Sequence, residues 1–224
     1  MPQRKPRANL IDFTPHPEKN VAVAARLCYS DKSPEELRSF ISKREIEKLV
    51  RKVIDMGHTS TLEHTWFYFS IVCSRVCSHQ LVRQRVGVGY SQRSQRYVTE
   101  DNFDYIIPPT IEKDENLKKM YTSWMKEAKG RYMSMLEAGV PKEDARFLLP
   151  QIKTNLVVSY NARSLRHFFK LRCCNRAQWE IRDIANQMLA QAKEVAPILF
   201  ENAGPECVRG ECPEGKLSCG KPWR

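Results

Sequence analysis

The sequence predicts an α+β fold, and three observations carry that expectation. Capped amphipathic helical segments dominate the chain. Short strand-like runs fall among them with no regular βα alternation, and there is no internal repeat. The 224 residues suit one large domain, taken as 1–204, followed by a Cys-, Gly- and Pro-rich tail over 205–224.

The elements follow in order. NVAVAARLCYS (20–30) predicts a helix with Asn20 as its N-cap. In SPEELRSF, Ser33 is an N-cap, Pro34 takes the first helical position and Glu36 completes a capping box. SKREIEKLVRKVIDMG repeats the device with Ser42 and Glu45. Its Ile46, Leu49, Val50, Val53 and Ile54 share one face, and Gly57 ends it. TWFYFSIVC (65–73), aromatic and β-branched, predicts a buried strand, and Ser74 caps a helix running to about Gln84. FDYIIPP predicts a second strand that Pro108 ends. From Glu112 to Ala138, the residues Leu117, Tyr121, Trp124, Ala128, Tyr132 and Met135 mark one long amphipathic helix closed by Gly139. Pro141 opens a short helix, and TNLVVSY (154–160) is a third strand. Asn161 caps a helix to about Leu171. AQWEIRDIANQMLAQAKEVAPILF forms the last helix, presenting Ile181, Ile184, Met188, Ala192 and Val195.

Hydrophobic residues make up 42% and charged residues 28% of the chain, enough apolar surface for a packed core. No apolar run approaches the roughly 20 residues that span a bilayer. The basic start MPQRKPRANL is followed by no apolar segment of a secretory signal. The expectation is a cytoplasmic protein with no membrane partner. A formal net charge of +11 attracts polyanions, whether nucleic acids or multiply charged small molecules.

The eight cysteines are expected to be reduced thiols. Cys28, Cys73 and Cys77 sit among apolar residues and read as small core side chains. Cys207, Cys212 and Cys219 have the spacing C-x4-C-x6-C, which lacks the paired C-x2-C units of zinc sites, so no metal is assigned.

Three segments carry the chemistry. GHTSTLEH (57–64) packs His58, Thr59, Ser60, Glu63 and His64 between a helix end and a strand. RQRVGVGYSQRSQRY (83–97) concentrates four arginines around Gly87 and Gly89. Guanidinium forks grip phosphate or carboxylate through paired hydrogen bonds, and glycines permit close backbone approach. NARSLRHFFKLRCCNRAQWEIR (161–182) places Arg163, Arg166, His167, Arg172 and Arg176 on a helix and the turn after it. Arg163, Arg166 and Lys170 share a face there. The sequence contains no G-x-G-x-x-G and no P-loop, so a nucleotide cofactor would have to be held in another way. On residues alone, a small phosphorylated ligand, RNA and a plain solvated surface stay comparable. RNA binding would show as affinity falling steeply with salt.

Together the three segments resemble the flavin-dependent thymidylate synthases. Arg83-Gln84-Arg85, eight residues and then Ser94 is similar to that family's R-H-R…S motif. GHTSTLEH resembles its G-H-x-[ST]-x-x-E-H segment, and NARSL…LR…AQWE its third. The resemblance covers most of Asn20 to Phe200. Gln84 departs from it, standing where the family has a histidine; glutamine donates and accepts hydrogen bonds but carries no charge.

The resemblance implies a central mixed or antiparallel sheet with long flanking helices, and a homotetramer with shared active sites. It implies FAD held without a Rossmann fold, and reductive methylation of dUMP to dTMP. Methylenetetrahydrofolate gives the carbon, and NADPH reduces the flavin. No nucleic acid is then a partner. By position, His58, Ser60, Glu63, Arg83, Gln84, Arg85, Asn161, Arg163, His167, Leu171 and Arg176 would line the flavin site. Gln80, Arg83, Gln92, Arg93, Ser94, Gln95, Arg96, Arg146 and Arg172 would hold dUMP. Arg172 is the first catalytic candidate, stabilising charge at the pyrimidine as hydride arrives. Ser94 is the second. A serine nucleophile needs a neighbouring base and arginine is a poor one, so binding is its expected role.

Overall fold

The computed structural model describes residues 3–223. The elements are β1 (Arg7–Phe13), α1 (Pro17–Leu27), α2 (Pro34–Phe40) and α3 (Lys43–Asp55). A 3-10 turn (Thr59–His64), β2 (Trp66–Ser74), α4 (Arg75–Leu81) and β3 (Val88–Gln92) come next. They are followed by α5 (Pro109–Glu112), α6 (Glu115–Glu137), α7 (Lys142–Ala145), β4 (Lys153–Asn161), α8 (Ala162–Arg172), α9 (Trp179–Val195) and α10 (Pro197–Phe200). The α+β class is as expected.

The sheet order is β1-β2-β4-β3. Arg75 N–H donates to Ile152 O at one end of the β2–β4 pair, and Ala162 N–H to Thr65 O at the other, so those strands run antiparallel. Asn161 N–H to Gly87 O and Arg93 N–H to Asn155 O fix β3 against β4 in the same sense. Along β2, Phe67, Phe69, Ile71 and Cys73 are wholly buried while Tyr68 is exposed, the period-2 alternation of a half-buried strand.

The chain forms two compact units. One comprises the chain up to Arg7, Ile71–Val82 and Ser91–Leu156. The other comprises Ala8–Ser70, Arg83–Tyr90 and the chain from Val157 onward, the 205–223 tail included. The first unit has a core of Phe103, Tyr105, Ile107, Met125 and Ile152. The second is built on a run of aromatic contacts: Phe67–Phe200 at 5.1 Å, Phe200–Phe169 at 5.8 Å, Phe169–Phe168 at 6.0 Å and Phe168–Tyr160 at 5.3 Å. Such pairs add to the burial of each ring. In the same unit β1 is held from α9: Ala8 N–H donates to Gln187 Oε1, Leu10 N–H to Gln191 Oε1, and Gln191 Nε2 to Ala8 O.

The capping boxes at Ser33/Glu36 and Ser42/Glu45 are formed, and Ser74 and Asn161 cap α4 and α8. Several expectations are corrected. α1 starts at Pro17 after a left-handed His16, because proline pre-sets the first turn; Asn20 lies inside it, and its Nδ2 donates to Pro15 O. Residues 103–109 form no strand beyond a bridge of Gln3 to Tyr105. Their apolar side chains go to the core, and Pro108 and Pro109 lack the N–H that a ladder needs. The helix from 112 is two, α5 and then α6 capped by Asp114. On α6 the buried face is Met125, Ala128 and Tyr132; Leu117, Trp124 and Met135 are exposed, because the core meets only the face around Met125. α4 ends at Leu81 rather than Gln84, and the last helix breaks at Ala196 ahead of Pro197. Cys28 is exposed, just past the end of α1, rather than in the core. β1 and β3 were not expected at all.

Tyr132 is fully buried, and its Oη accepts the N–H of Glu100. Tyr132→Phe keeps the ring and removes the acceptor. It should cost about 1–3 kcal/mol, read as a lower urea midpoint with an unchanged m-value.

Candidate active site

The three motif segments meet at the start of α8, within the second unit. The side chain of Asn161 accepts the N–H of Ser164 at 2.9 Å, which caps the helix. Ser164 Oγ donates to Val86 O at 2.5 Å, and Gln84 Nε2 donates to Ser164 O at 2.6 Å. The arginine loop is therefore fastened to α8 through the residues just before Gly87, and Gly87 O itself accepts the N–H of Asn161. Gly87 itself has φ +66°, and a Cβ there would strike the side chains of Asn161 and Ser164. From the GHTSTLEH segment, Glu63 Oε1 accepts from Arg163 Nη1 at 2.6 Å, and just after it Thr65 O accepts the N–H of Ala162.

All the flavin-side residues named from sequence lie in this unit. Asn161 is buried and Gln84 half-buried, while His58, Ser60, Glu63, Arg83, Arg85, Arg163, His167, Leu171 and Arg176 are exposed. Arg166, grouped with Arg163 and Lys170 on one face, instead points inward. Its Nη1 donates to Leu199 O, and burial, reinforced by Arg209, lowers its pKa to about 10. At the far end of α8, Lys170 pairs with Glu206 and Arg176 with Glu214, while Asn175 Nδ2 donates to Lys221 O at 2.9 Å. Cationic residues suit a helix C-terminus. Arg172 is half-buried in that last turn and acts electrostatically on the Tyr90 hydroxyl. Burial pushes the Tyr90 pKa up, against the pull of its 3.1 Å bond to Tyr160 and of Arg172. Cys173, next in sequence, is buried with its thiol pushed up to about 12, which disqualifies it as a nucleophile at neutral pH.

The first unit holds Gln80, Gln92–Arg96 and Arg146; Arg83 and Arg172, named for the same ligand, belong to the second. Gln92 Nε2 donates to Ser78 Oγ and Thr154 Oγ1 at 3.3 and 3.2 Å. Arg93 Nε lies 3.7 Å from Glu100, whose carboxyl burial raises in pKa against the pull of Arg93. Arg96 pairs with the Glu143 carboxylate at 3.1 Å while Arg146 Nε donates to the Glu143 carbonyl at 2.9 Å. Ser94 Oγ accepts the N–H of Arg96 at 3.2 Å, and among the described residues no imidazole or carboxylate hydrogen-bonds to it. Gln95 is half-buried in the same turn.

Sequence reasoning missed Glu143, which gathers two of these arginines, and Ser78, Thr154 and Arg75. Arg75 is held below its usual pKa by burial and then by the charge of Arg146. Apart from the contact of Glu143 with Arg146 three residues on, each acts on a partner far along the chain, which leaves no local signal.

Gly87→Ala should destabilise the protein by about 1–3 kcal/mol, through left-handed strain plus the clash with the Asn161 cap. A thermal melt checks this, with Gly89→Ala as comparison, where φ is ordinary and only Ser159 Oγ is approached.

A model of the family described as thymidylate synthase complementing protein matches residues 9–198. The chain is 47% identical over 216 residues to the flavin-dependent thymidylate synthase of Geobacter sulfurreducens, covering 95% of this chain and 93% of that one. It is 43% identical over 233 residues to the enzyme of that name from Clostridium tetani, with 96% and 93% covered. Among solved structures, the UMP/dUMP methylase PolB from Streptomyces cacaoi, bound with 5-Br dUMP, superposes with a TM-score of 0.79. The identity there is 21%, over 89% of this chain and 94% of that one, a likeness of fold.

Proposed function

The chain belongs to the flavin-dependent thymidylate synthase family, and from that premise we propose that it makes dTMP by reductive methylation of dUMP. Methylenetetrahydrofolate is the carbon donor. FAD, once reduced by NADPH, supplies the hydride. The observation that carries this reading is the tying of all three motif segments to the start of α8 by Gln84, Asn161, Arg163 and Ser164.

The residues suit FAD. Arg83, Arg85, Arg163 and Arg176 offer planar forks for a pyrophosphate, with His58, Ser60, Glu63, Asn161, His167 and Leu171 around them. Gln84 has given its N–H to Ser164, so its carbonyl oxygen is left to accept from a ring N–H. On the nucleotide side, Gln80 and Gln92 to Arg96 with Arg146 bind dUMP. Glu143 keeps Arg96 and Arg146 spaced for a dianionic phosphate. Arg172 lies against the pyrimidine edge, where a fixed cation stabilises charge developing on the ring. Ser94 orients the nucleotide.

Anaerobic incubation with FAD, NADPH, methylenetetrahydrofolate and dUMP should yield dTMP; absence of product would refute the reading. Arg172→Lys keeps the charge but loses the fork, and should lower kcat roughly 10²-fold or more. Ser94→Ala should act mainly on the KM for dUMP; no turnover with normal dUMP and FAD binding would make it a nucleophile instead.

The assembly is a homotetramer with shared sites. The exposed stripe Leu117, Met120 and Trp124 on α6, with Phe147 84% exposed, supports burial against another copy. Light scattering should give four chains, and Trp124→Glu should shift the mass downward. Among the described residues no helix is long and apolar enough to cross a membrane; the proposed location is the cytoplasm.

A further inference from the structure

The tail after Gly204 is ordered by two 3-10 turns, Glu206–Val208 and Gly215–Leu217. It lies across the end of α8 and the turn leading to α9. Glu206 pairs with Lys170, Glu214 pairs with Arg176, and the carbonyl of Lys221 accepts from Asn175. Tail and turn border an open pocket of about 470 Å³, lined among others by Lys170, Arg172 and Arg176 and by Glu206, Cys207 and Glu214. That is a ligand-sized space. It presents three cations, two of which are met by carboxylates from a segment with no part in the motifs.

We propose that residues 205–223 are a strap whose Glu206 and Glu214 compete with phosphate-bearing ligands for Lys170 and Arg176, so that strap docking and loading of the site exclude one another. The proposal rests on the reading of Arg176 as a cofactor-side residue. Three features make the strap displaceable. All four side chains of the two ion pairs stay a third to a half exposed, and pairs in that setting are worth little. A pyrophosphate brings more charge and more acceptor oxygens than either carboxylate, and it can take both cations at once. The segment is rich in glycine and proline, and beyond the buried Pro205 and the half-buried Val208 and Trp223 its apolar content is small, so its release uncovers little core. In the free protein the strap keeps Lys170 and Arg176 apart and paired, which limits capture of unrelated polyanions by a chain of charge +11.

The test uses the full chain. FAD affinity is measured by flavin fluorescence, and amide exchange is followed over 206–223, for the wild type and for E206Q, E214Q and their double variant. E211Q, a tail carboxylate in neither pair, is the control. The strap predicts FAD binding roughly two- to twentyfold tighter in E206Q/E214Q, no such gain in E211Q, and faster tail exchange in the wild type at saturating FAD. Unchanged or weaker FAD binding in the double variant, or tail exchange slowed or unchanged by FAD, overturns it. If the wild type takes up no flavin, the cofactor reading has failed separately. The strap is then judged with millimolar inorganic pyrophosphate, where faster tail exchange sustains it and unaltered exchange overturns it.

Discussion

The flavin-side part of the candidate site depends on how α8 begins. Asn161 is at once the last residue of β4, the cap of α8 and the hydrogen-bond partner of Gly87. Only glycine fits that turn without strain, because the space a Cβ would need is filled by the side chains of Asn161 and Ser164. From this contact the arginine loop gains its position, since Gln84 and Val86, just before the turn, both bond to Ser164. The helix then carries Arg163 out to Glu63 at its start and Lys170 and Arg172 to its end. A strand end, a helix cap and a tight turn are thereby one object, and errors in any of them would be felt in the other two.

The charge distribution is less lopsided than a net +11 implies. Arg93, Arg96, Arg163, Lys170 and Arg176 each have a carboxylate within ion-pair distance. Such pairs add little to stability where they are exposed. Their effect is geometric: cations that would repel and wander are held at fixed spacing before any anion arrives, so less side-chain entropy is lost on binding. A ligand phosphate then exchanges one partner for another rather than ordering loose side chains. Arg166 shows the contrast. Buried and bonded to a carbonyl, it belongs to the interior although its spacing in the sequence matches the exposed cations.

Much of this was legible in the sequence where the signal is local. Ser33, Ser42, Ser74 and Asn161 cap helices because each precedes the first turn it bonds to. β2 and β4 alternate because one face is buried. β1 was not legible because only Ala8 of its seven residues is buried and Leu10 half-buried, an alternation too short and too polar to mark a strand. β3 hides because Gly89 and its neighbours resemble a flexible loop, and their strand character comes from β4. The 103–109 segment misled in the opposite way: an apolar run marks burial, and only its prolines said that burial was not in a sheet. The motif segments were found whole, yet Glu143, Glu206 and Glu214, which hold their arginines and lysine, were not. An ion pair between residues 38 or 47 positions apart leaves no trace in spacing.

The two glutamines of α9 that hold β1 have a consequence beyond anchoring it. β1 is an outer strand of the sheet, and an outer strand offers unpaired N–H and C=O groups to any extended chain that passes. Gln187 and Gln191 fill part of that row with side-chain amides, which offer the same donor and acceptor as a peptide group but cannot propagate a ladder. The protein thus closes one margin of its sheet with a helix of its own, and a neighbouring strand finds no continuous template there for fibre-like growth.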